Sequence, residues 1–141
     1  MAKQLGRALL VKIGDGESSE AFANLCGLNS KSLTINNTAI DVTTPDCTSP
    51  EGALWTETLA GLKNVSVSGD GFFEDSTTEA RMNTVAMAAD NKANFGVLVP
   101  DFGTYAGAFR ITSLEFGGET EGGVTYSLSL ESTGVVTFTA A

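Results

Sequence analysis

Residues 124–131, VTYSLSLE, alternate strictly between apolar and polar side chains. A period of two is that of a β-strand with one buried side and one side in solvent. The apolar members are Val124, Tyr126, Leu128 and Leu130, and the polar members are Thr125, Ser127, Ser129 and Glu131. The segment therefore predicts a strand in a sheet that has a core side and a wet side.

Other segments of the chain predict further strands. Val65 and Val67 alternate with Ser66 and Ser68, and residues 8–13 form a short apolar run. The stretch LTINNTAIDVT has two alternating halves around Asn36–Asn37, which predicts a β-hairpin with its turn at that dipeptide. In the C-terminal third, strands are predicted at NFGVLV, GAFRITSLEF, VTYSLSL and GVVTFTA.

One long helix is predicted between these strands. Ser76 and Glu79 have the spacing of a capping box, in which each side chain satisfies a free backbone amide of the other. Apolar residues then recur at helical spacing, which places the helix at about 77–91. The fold class expected is mainly β with one flanking helix, in a single domain spanning residues 1–141.

Residues 43–54 lack any periodicity and hold two of the three prolines. Proline cannot donate to a sheet ladder, so this segment is predicted to be a projecting loop. Long loops in compact domains are often functional, and this one is a candidate contact arm. A plain surface loop is an equally good interpretation.

The charge and residue types of the chain narrow its possible functions. The 141 residues carry a net charge of −9, which argues against a surface that grips nucleic-acid phosphates. The chain has no histidine and two cysteines, so no catalytic residue, metal site or cofactor is predicted. A hydrolase built on paired carboxylates is disfavoured, because the acidic clusters lie at predicted turns. No membrane span is predicted, and a cytoplasmic product is expected.

Trp55 and the other aromatic residues are mostly expected in the core by position. Phe72 and Phe73 are adjacent and cannot both face one side of a strand. One of them is therefore expected to leave the core of its own domain and to mark a contact with a partner. A turn or bulge that takes both rings inward is the alternative.

The order of these segments resembles the major tail protein (tail tube) family of long-tailed phages and gene transfer agents. The resemblance covers nearly the whole chain, from VKIGDG through LTINNTAIDVT and AGLKNVSVSGDGFFED to FRITSLEFGG and GVTYSLSLESTGVVTF. It implies a β-sandwich or barrel-like tail tube fold with a flanking helix, whose subunits form hexameric rings stacked into a tube that conducts double-stranded DNA. The implied location is the tail of a virion or gene transfer agent, after synthesis in the cytoplasm of a bacterial host.

The implied partners are further copies of the chain, the tape measure, tail terminator and distal tail proteins, and DNA that passes without specific binding. Six subunits with four strands each would close a barrel at least ~37 Å across at about 4.8 Å per strand. Six copies would carry a charge of −54, which suits a wall that must not trap phosphates.

On this resemblance, residues of three kinds receive roles. The residues expected to face the lumen are Ser66, Ser68, Asp70, Thr125, Ser127, Ser129 and Glu131. Phe72 and Phe73 are expected at the subunit interface. The loop expected to reach the next ring contains Thr44, Pro45, Asp46, Ser49, Pro50 and Glu51. Arg110 also lies on a polar face, and a low-friction wall requires that a carboxylate pair with it.

Two other classes of protein remain as alternatives. A capsid decoration or tail terminator protein would share the acidic, β-rich composition. A carbohydrate-binding or adhesin β-sandwich would present exposed aromatic side chains on one sheet face.

Overall fold

The computed structural model describes residues 3, 5–14, 16, 21–25 and 27–140. Most of these residues lie in β-strands, as the sequence predicts. In chain order the elements are a 3-10 helix at Gly6–Ala8, β1 (Leu10–Gly14), β2 (Phe22–Asn24), β3 (Leu28–Asp41), β4 (Thr58–Phe72), α1 (Thr77–Met87), β5 (Lys92–Val99), β6 (Gly103–Gly117) and β7 (Thr125–Ala140).

The seven strands form one hydrogen-bonded sheet in the order β2-β1-β5-β6-β7-β4-β3, and every pairing is antiparallel. The sheet curls, because β1 and β3 are far apart in the strand order yet Leu10 of β1 and Leu28 of β3 line one cleft. The mainly β, barrel-like fold with one flanking helix is confirmed.

The apolar side of the sheet forms the core. The alternation predicted in β7 is observed, since Tyr126, Leu128 and Leu130 are buried. Phe95 of β5 and Phe109 of β6 pack edge to face with ring centroids 6.2 Å apart. Edge-to-face packing is a favourable arrangement for aromatic pairs, because the positive ring edge meets the negative ring face.

Helix α1 covers part of this apolar side with Met82 and Val85, both fully buried. Ser76 is its N-cap residue, and the Ser76 hydroxyl accepts a 3.3 Å hydrogen bond from the Glu79 backbone N–H. The helix ends at Met87, so the predicted end near residue 91 is wrong. Asn91 is instead drawn to the sheet, where its carbonyl and side-chain amide bond the backbone of Ile111.

The predicted hairpin with a turn at Asn36–Asn37 is also wrong. β3 continues through this dipeptide, where Asn36 and Asn37 pair with Asn64 and Lys63 of β4, and the register shifts between Asn37 and Ala39. Pairing along all of β3 supplies more backbone hydrogen bonds than a local turn would, and it removes the need for a tight turn. The Asn36 side-chain amide adds a 3.1 Å hydrogen bond to the Ser66 hydroxyl.

β4 separates from β7 part of the way along the sheet. The two strands pair from Ser66↔Glu131 to Phe72↔Thr125, and the last link beyond them is a 2.8 Å hydrogen bond from Val65 N–H to the Ser132 hydroxyl. β7 stays paired with β6 as a single strand through Ala140, where the sequence predicted two strands. The remainder of β3 and β4 therefore projects as a two-stranded arm, here defined as residues 36–64.

Candidate functional site: the polar face of the sheet

One side of the sheet is rich in hydroxyls and carboxylates, because residues directly opposite each other on neighbouring strands point to the same side. The seven residues predicted to face the lumen lie in four such rows on β4 and β7. The rows are Ser66 opposite Glu131, Ser68 opposite Ser129, Asp70 opposite Ser127, and Phe72 opposite Thr125. The structure thus brings all seven together on one surface, here called the polar face.

The polar face continues onto the strands on both sides of this pair. β3 places Ser30, Ser32 and Thr34 opposite Asp70, Ser68 and Ser66. β6 places Arg110, Ser113 and Glu115 opposite Glu131, Ser129 and Ser127. Four adjacent strands therefore share one continuous surface of small hydroxyls and carboxylates.

Many hydroxyls of the polar face bond to one another or to the backbone. The Ser32 and Ser68 hydroxyl oxygens are 2.8 Å apart, and the Thr112 hydroxyl donates to the Ser129 carbonyl at 3.1 Å. A hydroxyl that already bonds to the protein is less available to a passing ligand, because part of its capacity to donate and accept hydrogen bonds is in use.

Arg110 on the polar face has a carboxylate partner, as the low-friction argument requires. Its guanidinium donates to Asp90 at 2.8 Å and to the Asn91 side-chain oxygen at 3.0 Å. Both charged groups are exposed to solvent, so the pair stabilises the fold little. The pair instead lowers the local positive potential, because the negative charge of Asp90 lies next to the guanidinium of Arg110.

The adjacent phenylalanines point to different surroundings. Phe72 lies in a row of the polar face and is 55% exposed. Phe73 packs edge to face against Phe116 at 5.5 Å and Tyr126 at 6.4 Å between ring centroids. The Phe73 ring therefore packs against aromatic residues of its own chain, although it is itself 38% exposed, and the Phe72 ring lies on the polar face. The role of either ring in a subunit interface stays a prediction.

The predicted projecting loop lies between β3 and β4 at the end of the arm. All six residues predicted for ring stacking are exposed there. The neck of the loop is closed by hydrogen bonds from Val42 N–H to the Glu57 carbonyl at 3.0 Å and from Glu57 N–H to the Thr43 hydroxyl at 2.9 Å. The Thr43 hydroxyl and backbone N–H also bond Asp41 and lower the pKa of its carboxyl group.

Two features were not anticipated from the sequence. The expectation that the aromatic residues are mostly in the core is wrong: Trp55 is 83% exposed beside the neck of the loop, and Phe102, Phe116 and Phe138 are exposed as well. The position of Trp55 next to an aperiodic, proline-containing segment was the available signal. Glu79, assigned only to helix capping, is 1% exposed, and its carboxylate accepts a 3.0 Å hydrogen bond from the Tyr126 hydroxyl. Burial raises the pKa of Glu79, while the hydrogen bonds from Tyr126 and Ser76 act in the opposite direction.

The described residues include no group of three or more His, Cys, Asp and Glu side chains placed to hold a metal ion. Among the helices in this part of the chain, none is long and apolar enough to cross a membrane.

The fold of this chain is similar to that of proteins in the tails of gene transfer agents and phages. A chain of the native gene transfer agent virion has a TM-score of 0.84 and 31% identity, with 98% of this chain covering 100% of that one. A chain of the empty gene transfer agent tail, determined with helical refinement and C6 symmetry, has a TM-score of 0.87 and 34% identity over the same shares. The SPP1 tail tube, at 14% identity, shares the fold with a TM-score of 0.70 over 99% of this chain and 80% of that one.

The family follows from the sequence itself. Residues 3–138 match the model of the phage tail tube protein family. The chain belongs to this family. No curated protein sequence matches it significantly.

Proposed function

We propose that the chain is the repeating subunit of a phage-like tail tube, in which hexameric rings stack around a negatively charged lumen that conducts double-stranded DNA. The observation that carries the proposal is the β4–β7 register, which gathers Ser66, Ser68, Asp70, Ser127, Ser129 and Glu131 on one face. That face lines the lumen, and the apolar side with α1 lies outward.

Open sheet edges support the assembly of rings. In the described part of the chain, β3 has a strand partner on one side only, and residues 112–117 of β6 lie beyond the segment that pairs with β5. Unpaired edges are templates for pairing with another chain. Four polar-face strands per subunit, joined edge to edge in six copies, give the barrel of at least ~37 Å across expected from strand spacing.

The charge of the polar face suits a passing duplex. Asp70, Glu115 and Glu131 are anionic, and the cation Arg110 is offset by Asp90. A wall of this sign repels phosphates, and its hydroxyls offer weak, exchangeable contacts. DNA then slides through the lumen without a fixed binding site.

Further contacts of the tube follow from the same proposal. The loop residues from Thr44 to Glu51 reach the next ring, and Phe72 and Phe73 lie near the seam between subunits. The ends of the tube contact the tail terminator and distal tail proteins, and the tape measure protein occupies the lumen before DNA enters. The subunit acts in the tail of the particle and catalyses no reaction.

Electron microscopy of the purified protein tests the proposal. Six-fold rings or hollow tubes are expected, and a reconstruction should place Ser66 and Ser129 on the inner wall. A monomer that persists at high concentration and binds glycans would support a carbohydrate-binding module instead. Tubes with the polar face on the outside would preserve assembly and overturn the lumen assignment.

A further inference from the structure

An apolar groove opens where β4 leaves β7. It encloses about 330 Å³, and its apolar lining is Ile35, Val65, Tyr105, Val135, Val136 and Phe138. This volume lies at the lower end of the range of about 300–1,000 Å³ that small-ligand sites occupy, and it admits an aromatic side chain.

The wall of the groove is aromatic on one side. The Phe138 ring lies 4.9 Å from the Tyr105 ring and 5.0 Å from the Phe102 ring, measured between centroids. Val135 stands at the mouth of the groove and is 81% exposed. Aromatic rings in such a wall offer edges and faces to an entering ring, which adds to the gain from apolar burial.

The same chain also carries an exposed aromatic side chain, here called the knob, whose size suits the groove. Trp55 is the only tryptophan of the protein, and with its neighbour Leu54 it is exposed just outside the neck of the loop. The hydrogen bonds from Val42 and Glu57 across the neck tie the backbone two residues away from Trp55 to the opposite strand of the arm. This tether lowers the conformational entropy that the backbone beside Trp55 loses on docking.

The charges of knob and groove are complementary. Four carboxylates and no lysine or arginine occur from Asp41 to Glu57. Lys63 is the one charged residue in the lining of the groove. In a protein with a net charge of −9, the attraction between the anionic loop and Lys63 favours an approach that brings the loop of one copy to the groove of another.

We infer that Trp55 of one copy docks into the apolar groove between β4 and β7 of a second copy of this chain. Knob and groove lie on different parts of the surface, so the contact is head to tail. Contacts of this type propagate into closed rings or open stacks instead of stopping at a dimer. The inference rests on the proposed function and identifies the side chain that joins neighbouring subunits.

The fluorescence of Trp55 tests this directly, because no other tryptophan contributes. In assembled tubes, we expect emission at shorter wavelength and weaker quenching by acrylamide than in the free subunit. Trp55→Ala should raise the concentration needed for assembly by at least about tenfold, since buried tryptophans dominate interface energies. Trp55→Phe should preserve most of the affinity.

Site-specific quenching then tests whether the groove is the receptor. Copies with Cys26→Ser, Cys47→Ser and Trp55→Phe carry a nitroxide at Val135→Cys and are assembled with copies that retain Trp55. The matched control carries the nitroxide at Val124→Cys, the exposed residue just before the other end of β7. Stronger quenching by the label at 135 is expected.

The outcomes separate the two proposals. Tubes in which Trp55 remains as accessible as in the free subunit, or in which both labels quench equally, overturn the docking and leave the tube function standing. Failure to obtain rings or tubes with the native sequence counts against the proposed function.

Discussion

The Tyr126 hydroxyl donates a 3.0 Å hydrogen bond to Oε2 of Glu79, joining strand β7 to helix α1 inside the core. Glu79 is the one charged residue among those that the structure describes as buried. Its other oxygen accepts a 3.3 Å hydrogen bond from the Ser76 hydroxyl, so the carboxylate has protein partners on both sides. The strand and the helix are thus connected by a polar link as well as by apolar packing.

We predict that Glu79→Gln becomes progressively more stable relative to the native protein as pH rises above about 4.5, the ordinary pKa of a glutamate. Burial raises the pKa of Glu79 in the folded state, and the nearby Glu74 adds to this. The folded state therefore holds its proton to higher pH, and the contribution of Glu79 to stability is lost as pH rises towards the folded pKa. Glutamine keeps an oxygen for Tyr126 but has no proton to lose.

Urea unfolding of both proteins across pH 4 to 8 measures this difference in the free energy of unfolding. Tyr126→Phe is the companion variant, and it should destabilise by about 1–3 kcal/mol because a buried carboxylate loses a donor. A difference between Glu79→Gln and native protein that does not change with pH would contradict the assignment.

Gly71 is predicted to tolerate no side chain. A Cβ there would collide with the Gly27 carbonyl oxygen and lie 2.7 Å from the Asn29 backbone nitrogen. Gly71→Ala should therefore cost about 1–3 kcal/mol of the free energy of unfolding. Gly96→Ala is the matched control, since its nearest atoms are at 3.8 Å, an ordinary contact distance. Equal stability of the two variants in thermal unfolding would contradict the crowding at Gly71.

Phe72 and Phe73 should differ in what their removal affects. Phe73→Ala should destabilise the free subunit by about 1 kcal/mol, because the ring, although 38% exposed, packs edge to face against Phe116 and Tyr126. Phe72→Ala should change the stability of the free subunit by less than about 0.5 kcal/mol, since exposed positions contribute little, but should weaken assembly. Chemical denaturation of the free subunit and light scattering during assembly measure the two effects. If Phe72→Ala assembles normally, Phe72 lies outside the interface.

Lysine at two positions of the polar face should obstruct DNA and not assembly. Ser66 and Ser129 are both half-buried on the polar face, where a lysine side chain extends away from the sheet, so Ser66→Lys with Ser129→Lys should leave ring formation intact. Twelve added cations per six subunits would attract phosphates into the wall and slow their passage. Delivery of DNA by reconstituted particles should fall.

The control for charge is Asn83→Lys, at an exposed position of α1 on the other side of the sheet. It should assemble and deliver DNA as the native protein does. Normal delivery by the Ser66→Lys, Ser129→Lys variant would remove these two residues from the lumen.

The sequence predicted those parts of the structure that local patterns determine. The alternation around Tyr126 and Leu128 identified both the buried and the polar side of β7, because a period of two follows from strand geometry alone. Ser76 was recognised as the helix cap, because a serine three residues before a glutamate has a specific local role.

The errors came from contacts between distant parts of the chain. Asn36–Asn37 is an ordinary turn signal, and only pairing with β4 makes it the middle of a long strand. The position of Trp55 in the sequence predicts a core residue, but the side chain is 83% exposed, and no periodic pattern of the sequence indicates this. The buried link between Glu79 and Tyr126 joins residues 47 positions apart, beyond the reach of any local pattern.

Because β4 separates from β7, each subunit has a projecting arm and an apolar groove on different parts of its surface. If Trp55 docks between successive rings, a column of subunits added in the same orientation has free arms at one end and vacant grooves at the other. The proteins that close the two ends of such a column would then need different surfaces, one that receives a tryptophan and one that supplies an apolar side chain to the groove.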